Sequence, residues 1–200
     1  MTVIGITGGI GCGKSEVCRY LEERYGALVL MADDIAHEVI EPGGEAYEGY
    51  MELFGPDYVL PDGTFDRKKI GDLAFKDPGI IQKMNAIVHP AVHQAILSRI
   101  EKGRAEGREL AVIEAALLIE ANYRDTCREY WYVYSNLETR IQRLLMSRDI
   151  TEDKIESVVS RQQSEEIFRS ECEFVVDNSG DFEDTKAAID ERIKILRDEQ

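Results

Sequence analysis

The chain alternates between short apolar runs and longer stretches in which apolar residues recur at helical spacing. Val3-Ile4-Gly5-Ile6 reads as a short buried strand, and Lys14 to Arg24 as the helix after it. Gly26 closes the turn, and Ala27-Leu28-Val29-Leu30-Met31 predicts a second buried strand. Asp33-Asp34 opens a helix reaching Glu41, where Pro42-Gly43-Gly44 stops it. From Glu45 to Gly103 helical periods dominate, punctuated by Gly55-Pro56, Pro61-Asp62-Gly63, Asp77-Pro78 and His89-Pro90. Strand character returns at Leu110-Ala111-Val112-Ile113 and at Tyr130-Trp131-Tyr132-Val133-Tyr134. Charged helices are expected over Leu137 to Asp149 and Thr151 to Gln163, a last strand at Phe174-Val175-Val176, and a closing amphipathic helix from Glu183 to Arg197. Strands separated by helices imply parallel pairing through right-handed crossovers, hence a three-layer α/β core.

Between the first strand and its helix lies Gly8-Gly9-Ile10-Gly11-Cys12-Gly13-Lys14-Ser15, which fits G-x-x-x-x-G-K-S, the phosphate-binding P-loop. Its glycines allow a tight turn whose N–H groups face a polyphosphate, and the following helix adds its positive end. Lys14 reaches the terminal phosphates, and the Ser15 hydroxyl is placed to ligate Mg²⁺. A strand before the loop and a helix after it distinguish it from an ordinary glycine-rich turn. Gly9, Ile10, Gly11, Cys12, Gly13, Lys14, Ser15 and Glu16 are therefore expected to bind a nucleoside triphosphate, with Lys14 serving any transfer of its terminal phosphate. The chain is then one P-loop domain. Residues 1–44, 105–136 and 172–200 form the nucleotide-binding core, 45–104 an inserted helical substrate lobe, and 137–171 a helical lid.

Composition narrows the partners. A length of 200 residues with 44% hydrophobic content supports one good core, and no apolar run is long enough to span a membrane. A formal net charge of −15 argues against nucleic acid as a partner, and makes any anionic ligand depend on locally concentrated donors and a metal ion. Cys12, Cys18, Cys127 and Cys172 are scattered and form no C-x-x-C pair, as suits free thiols in a reducing cytoplasm. No long apolar heptad calls for a partner subunit, so a soluble, unprocessed, cytoplasmic monomer is expected.

A P-loop alone does not separate kinases from switches. Asp33, at the end of the second strand, stands where a small-molecule kinase needs a carboxylate to orient an acceptor hydroxyl and take its proton. By spacing alone Asp33 reads equally well as a helix cap, and Asp34 as a cap only.

Several motifs, in this order, resemble the dephospho-CoA kinase family over nearly the whole chain. Gly5 to Ser15 is close to the family's opening motif, and Met31-Ala32-Asp33 stands where the family has Asp-Ala-Asp. Val88-His89-Pro90 is similar to its mid-chain His-Pro motif, and Ala116-Leu117-Leu118-Ile119-Glu120 to Pro-Leu-Leu-Phe-Glu. Val176-Asp177-Asn178-Ser179-Gly180 resembles its late Asn/Asp-Asn-x-Gly segment. The resemblance implies transfer of the ATP γ-phosphate to the ribose 3′-hydroxyl of dephospho-CoA, with Mg²⁺. It implies Asp33 as the base, and His89 and Glu120 as substrate contacts, against a helix-end histidine and an exposed loop acid. Met31 departs from the family's first Asp. The helix around Arg67-Lys68-Lys69 reads either as a contact for the substrate's pyrophosphate or as a solvated face, the second being favoured.

Lid arginines are sought among Arg140, Arg143 and Arg148, since guanidinium groups stabilise charge developing on a transferred phosphoryl group. The family pattern Gln-x-x-Arg-Leu-x-x-Arg has Gln where Arg140 stands, and Arg143 to Arg148 is one residue longer; Arg148, then Arg143, are the expected catalytic groups. Within Arg161-Gln162-Gln163 only Gln162 matches the family. Glu114 reads either as an acid supporting the site from behind or as a strand-end acid with no role there, and Cys12, at a helix N-terminus, either as a thiolate whose alkylation ATP would block or as a small residue that merely fits the loop, the second being favoured for each. Two other readings are a kinase for a different small acceptor, such as a nucleoside monophosphate, and a non-catalytic nucleotide switch. The switch lacks an Asn-Lys-x-Asp segment, since Asp177-Asn178-Ser179-Gly180 has neither the lysine nor the final acid.

Overall fold

The computed structural model describes residues 1–121, 123–147, 151–160 and 162–199. Its elements follow in order: β1 (Thr2–Thr7), α1 (Lys14–Tyr25), β2 (Leu28–Met31), α2 (Ala32–Glu38), α3 (Tyr47–Phe54), α4 (Arg67–Lys76), α5 (Pro78–Ala105), β3 (Leu110–Glu114) and α6 (Leu118–Ala121). After these come β4 (Glu129–Tyr134), α7 (Leu137–Ser147), α8 (Glu152–Val159), α9 (Glu165–Glu171), β5 (Phe174–Asp177) and α10 (Phe182–Asp198). Two compact units result: Met1–Val29 with Gly107–Gln200, and Leu30–Glu106.

The strands form one sheet in the order β2-β3-β1-β4-β5. β1 pairs in parallel with β3, Ile6 opposite Glu114, and with β4, Ile6 opposite Trp131. β4 pairs in parallel with β5, Tyr134 opposite Asp177. Every residue of β1 and β3 is buried, because helices cover both faces of a parallel sheet. β4 shows how its alternation serves two layers. Trp131 and Val133 join Leu21 of α1 and Ile189 and Ile193 of α10 in the main core. On the other face Tyr132 stacks on Phe168 of α9, centroids 4.7 Å apart and planes at 13°. Glu129 is buried at the start of β4; it accepts from Trp131 Nε1 at 2.9 Å and pairs with Arg192 of α10, so no charge is left uncompensated. The predicted three-layer α/β core is the one observed.

The second unit is helical after the end of β2. Asp66 caps α4 by accepting from Lys69 N at 3.0 Å, and Asp77 caps α5 with Pro78 in its first turn. Tyr47, Tyr50, Phe54, Tyr58 and Phe65 form an aromatic cluster with centroids 5.2–5.5 Å apart. Arg99 of α5 pairs with Glu38 of α2.

Three local expectations need correction. His89-Pro90 does not end a helix: α5 runs through it for 28 residues. Both residues are exposed, so water can satisfy the carbonyl that Pro90 leaves without a partner. The helix α2 starts at Ala32 with Met31 as its N-cap, so Asp33 and Asp34 lie in its first turn and neither is the cap. The helix expected to Gln163 stops at Val159, and a separate α9 follows, capped by Ser164 accepting from Ile167 N at 3.3 Å.

Candidate active site

In the first unit the loop from Gly8 to Gly13 leaves the C-terminal end of β1, the central strand, and runs into α1. Side chains hold alternate carbonyls of this loop. Lys14 Nζ donates to Gly8 O at 3.1 Å, Arg140 Nε to Ile10 O at 2.8 Å, and Asn178 Nδ2 to Cys12 O at 3.0 Å. In a trans peptide the N–H points opposite to the C=O before it. Holding those three carbonyls therefore turns the N–H groups of Gly9, Gly11 and Gly13 the other way, which is the arrangement that binds an anion.

Asn178 is the anchor of this arrangement. It is fully buried after β5, and its Oδ1 accepts from Thr185 Oγ1 at 3.1 Å, which fixes the amide with its nitrogen toward the loop. Ser135 Oγ donates to Asn178 O at 2.7 Å and accepts from Arg143 Nη1 at 3.1 Å. Gly13 has φ 93°, and a Cβ there would collide with Asn178 Nδ2, so only glycine admits the approach. The sequence carried this residue within a family-like segment but offered no role for it, since its partners lie far away along the chain.

Lys14 is held in place before any ligand arrives. Its Nζ lies 3.5 Å from Glu114 Oε1, at the end of β3, with the two side chains 15% and 7% exposed. Glu114 thus supports the loop through its lysine. Ser15 is exposed and Glu16 half-buried at the start of α1. Cys12 has the features of the second of its two readings. It is 1% exposed, and burial, the largest influence, pushes its thiol up despite the nearby Lys14 charge. A thiol held in this way is not the reactive thiolate that its place at the helix start suggested.

Arg143 reaches back under the loop to Ser135 and, at 3.5 Å, to Cys12 O. Arg148, the first choice among lid arginines, and Arg161 lie outside the described residues. Arg140 lies against the loop, and its Nη2 donates to Gln162 Oε1 at 2.8 Å. Two cavities flank this contact. One, of about 290 Å³, is lined by Gly8, Ala116, Leu117, Glu120, Gln162 and Gln163. The other, of about 380 Å³, is lined by residues that include Gly9, Tyr132, Tyr134, Arg140 and Gln162. Glu120 is exposed and accepts from Gln163 Nε2 at 2.8 Å.

The first unit therefore brings together Lys14, Glu114, Arg140, Arg143 and the Gly9–Glu16 loop. Asp33 and His89 belong to the second unit, both exposed, on α2 and α5. There Arg67 pairs with Glu41 at 3.3 Å, and Lys69 donates to Asp57 O at 2.7 Å while lying 4.6 Å from the Tyr58 ring centroid. Both cations are thus engaged by local partners, in keeping with the solvated-face reading.

Comparison with known proteins gives a consistent result. The family model described as dephospho-CoA kinase matches residues 2–184. The dephospho-CoA kinase of Geobacter sulfurreducens is 38% identical over 191 residues, 96% of either chain. The structure of TT1252 from Thermus thermophilus superposes with a TM-score of 0.81 at 29% identity, over 98% of this chain and 97% of that one. Dephospho-CoA kinase from Campylobacter jejuni shares the fold, with a TM-score of 0.71 at 19% identity, over 97% of this chain and 96% of that one.

Proposed function

The chain belongs to the dephospho-CoA kinase family, which acts in the last step of coenzyme A synthesis, and we propose that its residues divide that reaction as follows. The loop from Gly9 to Glu16 binds the phosphates of ATP, and Lys14 follows the charge that shifts as the γ-phosphoryl group leaves. Asp33 orients the ribose 3′-hydroxyl of dephospho-CoA and takes its proton late in the transfer. His89 and Glu120 contact that substrate. Arg143 and Arg148 supply positive charge to the equatorial oxygens of the transferred group.

The observation that carries this reading is the Lys14 ammonium, fixed between Gly8 O and Glu114 at the mouth of a loop whose N–H groups are already turned outward. No solvent or side-chain rearrangement is needed to present those donors, which is the form of electrostatic stabilisation that costs least during reaction.

Mg²⁺ fits the residues present. Among the described residues no cluster of three His, Cys, Asp or Glu side chains could cage a metal, whereas the exposed Ser15 offers one hard oxygen. That suits an ion held mostly by phosphate and water, which would neutralise charge on the β- and γ-oxygens. The enzyme is read as a cytoplasmic monomer acting on ATP and dephospho-CoA, without nucleic acid or membrane. Its cysteines are free, and no described helix is long and apolar enough to cross a membrane.

The test is ATP-dependent phosphorylation of dephospho-CoA with Mg²⁺, the product identified by mass, with Asp33→Asn in parallel. Coenzyme A should form, and the variant should lose about a hundredfold or more in rate while still binding ATP. An undiminished variant would remove the base assignment. ATP binding without product would point to a different acceptor, such as a nucleoside monophosphate.

A further inference from the structure

Arg140 and Gln162 close a small ring of hydrogen bonds on the first turn of the P-loop. Arg140 Nε donates to Ile10 O at 2.8 Å, and its Nη2 to Gln162 Oε1 at 2.8 Å. The same Gln162 oxygen accepts from Ile10 N at 3.2 Å. The guanidinium lies so close over Gly9 that a Cβ there would stand 2.7 Å from its Cζ and 2.9 Å from Gln162 Oε1. We propose that Arg140 is a further phosphate-binding residue of the nucleotide site, and that Gln162 is the positioning residue that seats it across Gly9. The inference rests on the reading of this loop as the ATP site.

The charge on the partner is the telling feature. The chain carries 39 acids against 24 lysines and arginines, and Arg67, Arg99, Arg124 and Arg192 are each met by a carboxylate. Among the described residues no carboxylate lies within ion-pair distance of Arg140. Its partners are a carbonyl and a neutral amide, which fix the plane of the guanidinium and leave its net charge undiminished. That charge lies at the loop: it acts to lower the Cys12 and Tyr132 pKa values against the larger effect of burial. Two of the five N–H donors of a guanidinium are used by the ring, so others remain for an anion. A carboxylate at position 162 would hold the arginine as firmly and cancel its charge, so the neutral amide is what keeps the cation available.

The experiment uses the whole chain and measures ATP binding by calorimetry, together with urea unfolding. Gln162→Glu keeps the tie and removes the net charge. Gly9→Ala, at a position without a left-handed backbone, pushes the guanidinium aside. Arg140→Gln removes the cation altogether. On the proposal, each weakens ATP binding on the order of tenfold, and Gln162→Glu does so with its unfolding midpoint held or raised. A ring that only braces the fold predicts the opposite for Gln162→Glu, unchanged ATP affinity, and that result overturns the proposal. Failure of the unmodified protein to bind ATP would overturn both this inference and the function it rests on, whereas intact binding that survives all three substitutions overturns this one alone.

Discussion

Lys14 Nζ stands 3.5 Å from Glu114 Oε1, an ion pair built from the residue after the P-loop's last glycine and the last residue of β3. The carboxylate keeps the ammonium compensated in a largely buried place until a phosphate arrives. Glu114→Gln should therefore cost the nucleotide-free protein about 1–3 kcal/mol, the range for an unsatisfied buried polar group. ATP restores the missing negative charge, so it should raise the unfolding midpoint of the variant by more than that of the unmodified protein. Equal shifts would show that the pair does not act on the nucleotide-free state.

Asn178 joins the loop to the C-terminal part of the chain through Cys12 O and Thr185 Oγ1. Asn178→Ala should lower stability by about 1–3 kcal/mol, because a buried carbonyl and a buried hydroxyl each lose a partner. It should also weaken ATP binding. Thr185→Val, which removes only the hydroxyl behind the amide, should show the same two effects in weaker form. Loss of stability with normal ATP affinity in both variants would mean that Asn178 does not shape the loop.

Pro90 sits inside α5, where it has no N–H to give. Replacing it with alanine restores a helix bond and removes the ring's clash, and should stabilise the protein by up to about 3 kcal/mol. Thermal unfolding measures this directly; a lowered midpoint would mean that the ring makes contacts outweighing the backbone gain.

Stability should fall on the alkaline side. Burial, the largest cause in each case, pushes Cys127, Cys172, Tyr130 and Tyr132 up to about 12, and raises Cys12 and Cys18 as well. Unfolded thiols lose their protons near pH 8.5 and unfolded tyrosines near pH 10. The folded state binds protons more tightly than the unfolded one, so its advantage is complete below about pH 8.5 and declines as pH rises toward 12. Urea midpoints at pH 7, 9 and 10.5 should decrease in that order. A flat series would contradict the burial of these groups.

The strands were legible because a doubly covered parallel sheet demands continuous apolar runs, as at Leu110 to Ile113. The P-loop was legible because its mechanics are local: eight consecutive residues carry them. What failed was reasoning from a local rule where distant packing decides. His89-Pro90 reads as a break, yet α5 continues because Val88, Val92 and Ile96 remain buried along one face. At Cys12 the helix start also allowed a thiolate, but burial outweighs the Lys14 charge there. The seven residues of α9 are too few and too charged for a clear period. The roles of Asn178, Ser135 and Gln162 depend on contacts that span 123 to 166 residues, a separation that no spacing rule reaches.

That separation sets a timetable for synthesis. β1 is made before its partners β3 and β4, and its loop takes its final shape only against Asn178, 166 residues after Cys12. A nascent chain cannot use nucleotide as a folding template until Asn178 has been made. Until β3 at Leu110–Glu114 has been made, β1 has no native neighbour in the sheet, which makes chaperone capture of β1 the natural companion of translation for this topology.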